Sequence, residues 1–176
     1  MPNLNAVAQI AAGREHNCAA LRDGTLRCWG YNFRGQLGDG TTATNATPVT
    51  VTGIINAVAV TGGGDHRCAL ISGGESKCWG NNSIEQLGDG GSGGISRTAV
   101  TVTNLGSNGV TARAIAAGYQ HTCALLTNDT VQCWGANAYG AIGDGTFIST
   151  ASPKTVVALQ AAATGINSAA RIAAGK

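Results

Sequence analysis

The chain has 176 residues, only 11% of which are charged, and its formal net charge is +2. It contains no block of basic residues, so electrostatic binding of nucleic acid is not predicted. No run approaches the roughly 18 apolar residues of a membrane helix, so no membrane span is predicted in this segment. The 27 glycines suit short strands joined by many turns.

The first 56 residues predict four short strands. The segment QIAAG at residues 9–13 has the small apolar side chains of a buried, crowded strand. Residues 18–28 predict a β-hairpin, because an Asp-Gly pair lies between two apolar runs. The segment ATPVTVTG at residues 46–53 follows a glycine-rich turn, and its valines predict a fourth, half-buried strand.

The register of this hairpin places two cysteines opposite each other. A three-residue loop at residues 22–24 pairs Leu21 with Thr25, and counting back along both strands sets Cys18 opposite Cys28. Opposed residues on antiparallel strands have Cβ atoms about 4.5–5.5 Å apart, and the closer pairs approach the separation that a disulfide needs. The spacing favours a disulfide, with free core cysteines and a zinc site as alternatives.

The same pattern recurs twice. The motifs H-x-C-A and C-W-G each occur three times, and the histidines at positions 16, 66 and 121 are 50 and 55 residues apart. Periods in this range are typical of repeat proteins. Further strands are predicted at residues 58–63, 97–105, 113–118 and 152–159. About four short strands per repeat and no helix predict an all-β fold of propeller blades, with approximate limits 7–56, 57–111 and 112–170.

The six cysteines allow fifteen connectivities, of which the internal repeat selects one. The selected pairs are Cys18–Cys28, Cys68–Cys78 and Cys123–Cys133. A zinc site would use one histidine and two cysteines of a repeat, but no fourth ligand recurs with them. A redox pair is disfavoured because C-x-x-C is absent. Disulfides indicate an oxidising compartment, which predicts an extracellular or cell-surface protein. No metal and no cofactor is expected.

Other repeated residues carry structural expectations. The histidines are expected to pack between blades or to anchor loops, because an active site rarely recurs three times in one chain. The glycine three residues before each histidine is expected to turn the chain into the histidine strand. The tryptophans are expected to pack between blades. These sets are His16, His66 and His121; Gly13, Gly63 and Gly118; Trp29, Trp79 and Trp134.

Three Gly-Asp-Gly segments follow the C-W-G motifs, at residues 38–40, 88–90 and 143–145. Each aspartate is expected to cap a tight turn while the glycines adopt positive φ. The alternative, a calcium loop, lacks the alternating oxygen ligands of a dedicated site. No nucleophile elbow, phosphate-binding loop or pair of carboxylates is present, so no catalytic residue and no enzyme activity is predicted.

Candidate partner-binding residues are sought where the repeats differ within this fixed frame. One such place is the pair of residues before each histidine, and the other is the loop after each Trp-Gly. Tyrosine, phenylalanine and arginine there have the character of interface anchors, whereas the alternative is simple variation of loop sequences. The candidates are Arg14, Glu15, Tyr31, Phe33, Arg34, Asp65, Ile84, Tyr119, Gln120 and Tyr139.

The repeats resemble those of the RCC1 (regulator of chromosome condensation) family, including its bacterial members. The shared motifs are I-A-A-G, the histidine, C-W-G and G-Q-L-G-D-G-T, with Glu85 in the second repeat where the first has Gly35. The resemblance implies a β-propeller, and family members usually close about seven blades. The segment RIAAG at residues 171–175 matches residues 9–13. We therefore expect one repeat domain over residues 1–176, in which residues 171–176 begin a fourth repeat.

The resemblance also implies a non-enzymatic module for protein–protein interaction, because several branches of the family bind proteins. Two alternatives are a self-assembling subunit of a surface or filament assembly and a secreted inhibitor of β-lactamases. A nuclear nucleotide-exchange factor is disfavoured by the paired cysteines and the weak charge. The expected partner is a protein or further copies of the chain, and no nucleic acid. The segment is expected to belong to a longer chain or to a homo-oligomer.

Overall fold

The computed structural model describes residues 6–157 and 172–175. Its twelve strands form three antiparallel four-stranded sheets, one for each repeat, with the strands of each sheet in chain order. The described residues contain no α-helix. This architecture confirms the predicted fold of three propeller blades.

The strand limits follow the repeat. Blade 1 contains β1 (Val7–Ala12), β2 (His16–Leu21), β3 (Leu26–Gly30) and β4 (Asn45–Thr50). Blade 2 contains β5 (Ala57–Gly62), β6 (His66–Ile71), β7 (Ser76–Asn81) and β8 (Ile95–Thr101). Blade 3 contains β9 (Ala112–Ala117), β10 (His121–Leu126), β11 (Val131–Gly135) and β12 (Thr150–Thr155). Positions 158 and 159 of the last predicted strand, and the end of the third predicted blade up to residue 170, lie outside the described residues.

The central hairpins have the predicted register. In blade 1 the backbone amide of Leu21 donates to the carbonyl of Thr25 at 2.9 Å, and Cys18 lies opposite Cys28. The structure contains the three expected disulfides, with Cα–Cα distances of 4.1 Å in blade 1 and 4.0 Å in the other two. Each disulfide therefore joins directly opposed residues of two neighbouring strands.

The hydrophobic core lies between consecutive blades. Blade 1 contributes Cys18, Leu26 and Cys28 to a buried cluster, and blade 2 contributes Ala69 and Trp79 from the opposite face of its sheet. A second cluster repeats this arrangement between blades 2 and 3. The alternation of side chains along a strand explains this division: the cysteines of each blade face the next blade, and its tryptophan faces the preceding one.

The expected packing of tryptophans between blades is observed at both interfaces. Trp79 is fully buried and donates from its indole nitrogen to the carbonyl of Gln36 at 3.1 Å. Trp134 is also fully buried and donates to the carbonyl of Gln86 at 3.0 Å. Trp29 lies on the face of blade 1 that points away from blade 2 and is half-buried. Each buried indole thus satisfies its polar group on the loop of the preceding blade.

The structure corrects the reason for the glycine before each histidine strand. Gly13, Gly63 and Gly118 lie in the turns between the first two strands of their blades, but their φ angles are not positive. A side chain at any of them would overlap the imidazole ring of the histidine three residues later and the backbone carbonyl of the following repeat. Close packing, and not backbone conformation, requires glycine here.

Within residues 6–157 and 172–175, no helix is long and apolar enough to cross a membrane.

Candidate protein-binding face

The antiparallel order of the strands places two kinds of connection at the same end of every blade. We call this end the top face. It consists of the turns between the first two strands, at residues 13–15, 63–65 and 118–120, and of the loops between the last two strands, at residues 31–44, 82–94 and 136–149. The hairpin tips at residues 22–25, 72–75 and 127–130 form the opposite, bottom face. All ten candidate residues lie on the top face.

A backbone hydrogen bond joins each turn to the first residue of the loop or, in blade 2, to the strand residue just before the loop. Tyr31 donates to the carbonyl of Glu15 at 3.0 Å in blade 1. Asn81 donates to Asp65 at 2.9 Å in blade 2, and blade 3 has the equivalent bond at 2.9 Å. The two segments that the sequence singled out separately are therefore neighbours in every blade.

A buried asparagine holds each long loop in place. Asn32 accepts a hydrogen bond from the amide of Leu37 at 2.9 Å and donates to the carbonyl of Ala43 at 3.0 Å. Asn137 makes the equivalent bonds to Ile142 at 2.9 Å and to Ile148 at 3.2 Å. These asparagines follow each Trp-Gly by two residues, and no role was predicted for them. Their recurrence in all three repeats could have identified them, and their buried hydrogen bonds to the loop explain why the residue recurs.

The Gly-Asp-Gly segments have the predicted turn geometry. Asp144 accepts hydrogen bonds from the amide and the hydroxyl of Thr146 at 2.9 and 2.8 Å. The hydroxyl bond is the main reason that the pKa of Asp144 lies below its usual range. Gly143 and Gly145, on either side, have φ of +72° and +85°. The aspartate therefore caps its own turn. No group of three or more histidine, cysteine or acidic side chains that could hold a metal ion occurs among the described residues.

Blade 1 presents aromatic and charged side chains on the top face. The rings of Tyr31 and Phe33 lie 4.9 Å apart, and Phe33 is 64% exposed. Arg34 is also exposed. The guanidinium of Arg14 lies 3.9 Å from Glu15 and donates to the hydroxyl of Tyr119 in blade 3 at 3.3 Å. Arg14 and Tyr119 both line a cavity of about 360 Å³, and most of its other lining residues are glycines.

Blade 3 exposes three large apolar side chains in its top-face loop. Tyr139 is 96% exposed, Phe147 is 72% exposed and Ile148 is 74% exposed. Only Tyr139 was predicted from the sequence. Phe147 and Ile148 occupy the positions of Thr42 and Ala43 in the first repeat, so comparing repeats at the end of this loop would have found them. We call Tyr139, Phe147 and Ile148 the blade 3 patch.

The remaining candidates are less available to a partner. Asp65, Ile84, Tyr119 and Gln120 are half-buried, and the backbone amide of Ile84 is bonded to the side chain of Gln86 at 2.8 Å. The strongest candidates are therefore on blades 1 and 3, on either side of blade 2.

A column of histidines lies directly beneath the turns of the top face. His16 and His66 are buried, and His121 is half-buried. The ring of His66 is hydrogen-bonded to the hydroxyl of Thr122 in the next blade at 2.9 Å. Neither ring nitrogen of His16 has a hydrogen-bond partner. The expected packing of histidines between blades is thus observed for His16 and His66.

The column differs between blades 1 and 2 because the repeat changes there. Arg67 stands where the third repeat has Thr122, and its buried guanidinium donates to the carbonyls of Ala11 at 2.9 Å and His16 at 2.6 Å. Burial lowers the pKa of Arg67 to about 9. Gly62 makes room for this side chain, since a Cβ there would overlap the guanidinium. The substitution replaces a hydroxyl partner for a histidine ring by a buried cation.

The sequence matches two family models, each described as the regulator of chromosome condensation (RCC1) repeat. One matches residues 7–36 and 112–141, and the other matches residues 23–70. Together these matches cover more than half of the chain and include parts of all three blades.

Solved structures with the same fold share only about a fifth of their residues with this chain. A crystal structure of Prp20p from Saccharomyces cerevisiae, reported with its binding properties to Gsp1p and histones, has 23% identity and a TM-score of 0.75, over 85% of this chain and 38% of that one. The structure of Kap60 bound to yeast RCC1 (Prp20) gives 20% identity and a TM-score of 0.78, over 99% and 41%. Human WBSCR16 gives 18% identity and a TM-score of 0.58, over 99% and 57%. The chain thus spans about two fifths of the length of the yeast proteins.

Proposed function

Because this chain belongs to the RCC1 repeat family, we propose that it is a protein-interaction module that binds a partner protein through its top face. The observation that carries the proposal is the position of the repeat differences. The two kinds of segment in which the candidates were sought are separate in the sequence but meet at one end of every blade, above a framework whose cysteines, histidines and asparagines repeat. Loops carried on a rigid scaffold are a common location for binding residues.

The chemistry of the exposed residues supports this proposal. The blade 3 patch exposes three large apolar side chains in one loop, and Phe33 adds an aromatic ring on blade 1. Clustered exposed apolar side chains, unlike single ones, often mark an interaction site. Aromatic residues and arginine also dominate the energetics of protein interfaces. The two groups would anchor a partner at two points, with Arg34 beside the first.

The rigidity of the loops supports the same conclusion. Asn137, at the start of the loop of blade 3, is bonded to its middle at Ile142 and to its end at Ile148, and the disulfide Cys123–Cys133 joins the two strands of the hairpin beneath it. A loop that is ordered before binding loses little conformational entropy when the partner arrives, and this favours affinity.

The proposal includes an extracellular or cell-surface location and no catalytic activity. Three disulfides are stable in an oxidising environment and are rare in reducing cytosol. The repeated histidines and aspartates, which would be the natural catalytic candidates, are occupied in packing and in turn capping. We also propose that the chain is of the bacterial type, because its repeat motifs resemble those of bacterial members of the family.

We further propose that the blades have the limits 7–56, 57–111 and 112–170, and that residues 171–176 begin a fourth repeat of a longer propeller. Two contacts support this. Ile172 packs against the core cluster of blade 3, and the carbonyl of Gly175 accepts a hydrogen bond from Tyr119 at 3.1 Å. The carbonyl of Gly175 also lies 2.6 Å from where a Cβ of Gly118 would be, just as the carbonyl of Gly118 lies 2.6 Å from the corresponding position at Gly63. The alternative is association with further copies of the chain.

A capture experiment with matched variants tests the binding proposal. The wild-type chain, a top-face variant (Tyr139→Ser with Phe147→Ser) and a bottom-face variant (Arg22→Ser with Ser72→Ala) would be immobilised and exposed to the extracellular fraction of the source organism. All four substituted side chains are exposed, so each variant should fold. A protein retained by the wild type and by the bottom-face variant, but lost with the top-face variant, is the expected result.

Equal capture by all three forms would contradict binding through the top face. Inhibition of purified β-lactamases at nanomolar concentration would identify the partner class, and its absence at micromolar concentration would exclude the inhibitor role. Sedimentation of the chain alone would detect self-assembly, in which mass rises with concentration.

A further inference from the structure

The histidine column is a feature that protein binding alone does not explain. Each of the three imidazole rings rests against the glycine of its own turn, at a distance that leaves no room for a methyl group. The same glycine donates its amide to the histidine carbonyl, at 2.8 Å for Gly13, 3.0 Å for Gly63 and 2.9 Å for Gly118. Histidine and glycine together close the turn that carries candidate binding residues.

The histidine also supports the second binding segment. The residue before each histidine accepts the backbone hydrogen bond from the start of the neighbouring top-face loop, as Glu15 does from Tyr31. A change in the position of His16 would therefore move both the turn with Arg14 and the loop with Phe33. The column is the common base of the two binding segments in each blade.

The groups that face the column do not favour an imidazolium. Arg67, from β6 of blade 2, and the ring of His66 face His16, and no carboxylate compensates them. Arg67 and the ring of His121, from β10, face His66, whose other neighbour is the neutral hydroxyl of Thr122. Glu15 and Asp65 precede these histidines, but do not contribute to either pKa.

Protonation of these rings consequently opposes the closed structure. Burial, followed by Arg67 and then the neighbouring histidine, lowers the pKa of His16 and of His66 to about 3. An imidazole that is exposed when the turn opens has its ordinary pKa of about 6.5. The closed form is therefore fully stabilised above about pH 6.5, and this stabilisation is lost as the pH falls towards 3.

We propose that the histidine column is an acid-sensitive latch, which holds the top-face turns closed at neutral pH and releases them, with any bound partner, in acid. The consequence for the partner rests on the proposed function. Between pH 7.5 and pH 4.5, the ratio of open to closed turns should rise about 100-fold for each of the two buried histidines. The half-buried His121 should contribute less.

Hydrogen exchange of the 176-residue chain at pH 7.5 and pH 4.5 tests the latch. After correction for intrinsic exchange rates, the protection of the amides of Gly13 and Gly63 should fall about 100-fold in acid. The amide of Leu21, in the hairpin at the bottom face, is the internal control. Opening of the top-face turns leaves its hydrogen bond to Thr25 intact, so it should remain better protected than Gly13 and Gly63 at pH 4.5. A Leu21 amide that exchanges as fast as those of Gly13 and Gly63 at pH 4.5 would mean that the chain opens as a whole, and would overturn the proposal.

The variant His16→Gln with His66→Gln removes both titrating rings and retains polar side chains of similar size. Its Gly13 and Gly63 protection should not depend on pH, and a fall as large as that of the wild type would overturn the proposal. If this variant does not fold, the ring protons of the wild type provide a second test. Rings that titrate near pH 6.5 while Gly13 and Gly63 remain protected would also overturn it.

None of these measurements requires a partner. Failure of the latch would leave binding through the top face intact, and failure of capture at neutral pH would leave the latch intact.

Discussion

The glycines on either side of Asp39 provide a sharp test of how the blades pack. Gly38 and Gly40 both have positive φ, of +69° and +89°. They differ in the space available for an added Cβ atom. A Cβ at Gly38 would lie 2.8 Å from two atoms of the Trp79 indole and 2.8 Å from a methyl of Val51, whereas a Cβ at Gly40 would have nothing within 4 Å.

The magnitudes follow from this difference. An alanine at either position must adopt the left-handed conformation, which costs roughly 1–2 kcal/mol. At Gly38 the overlap with Trp79 adds about 1–3 kcal/mol of overpacking, and displacement of the indole weakens its bond to Gln36. We expect Gly40→Ala to lower the free energy of unfolding by about 1 kcal/mol and Gly38→Ala to lower it by about 3–4 kcal/mol.

Urea unfolding of the two variants, followed by tryptophan fluorescence and far-UV circular dichroism, measures these values. With a slope of about 2 kcal/mol/M, the two midpoints should differ by roughly 1 M. Adding Trp79→Phe to Gly38→Ala removes the indole atoms that face the new methyl, and should give a favourable coupling energy of about 1 kcal/mol. Equal costs at Gly38 and Gly40, or no coupling, would refute the packing argument.

Three further predictions concern the disulfides, the loop anchor and the buried cation. Replacing Cys123 and Cys133 by alanine should lower the free energy of unfolding by about 3 kcal/mol, from the entropy of the small loop that the bridge closes, and the melting temperature by about 6–12 °C. Asn137→Ala leaves a buried backbone amide without its acceptor, which costs about 1–3 kcal/mol and should speed hydrogen exchange at residue 142. Gly62→Ala should destabilise the chain by about 1–3 kcal/mol through overlap with Arg67 and with the carbonyl of Ala12. Arg67→Thr should restore the part of the loss that comes from the guanidinium, because the third repeat pairs alanine with threonine at these positions. Thermal melts by calorimetry would measure all three.

Each of these has an outcome that would contradict it. If the variant without Cys123–Cys133 melts at the same temperature as the wild type, that bridge does not restrict the unfolded chain. Unchanged exchange at residue 142 in Asn137→Ala would show that the asparagine does not hold the loop, for which Asn128→Ala on the bottom face is the matched control. If Gly62→Ala with Arg67→Thr is as unstable as Gly62→Ala alone, the overlap is with backbone and not with the guanidinium.

Some features of this protein follow from the amino-acid sequence because they depend on neighbours along the chain. The loop length of a hairpin sets its register, so the position of Asp23-Gly24 was enough to place Cys18 opposite Cys28. The Asp-capped turns are equally local, because Asp144 bonds to a residue two positions away. The repeat itself predicted the blades, since each is one self-contained sheet.

Other features depend on contacts between blades, and the tertiary structure alone decided them. The sequence suggested that Gly13 is needed for its backbone conformation, but in the structure it is needed because the ring of His16 and the carbonyl of Gly63 in the next repeat leave no room for a side chain. No sequence motif distinguishes Arg67, and only the packing of blade 2 on blade 1 buries it. Phe147 was not predicted as a binding residue because the residue type indicates hydrophobicity but not whether the side chain is exposed. Spacing along the chain specifies each sheet, whereas what a side chain meets between sheets is decided by residues about 50 positions away.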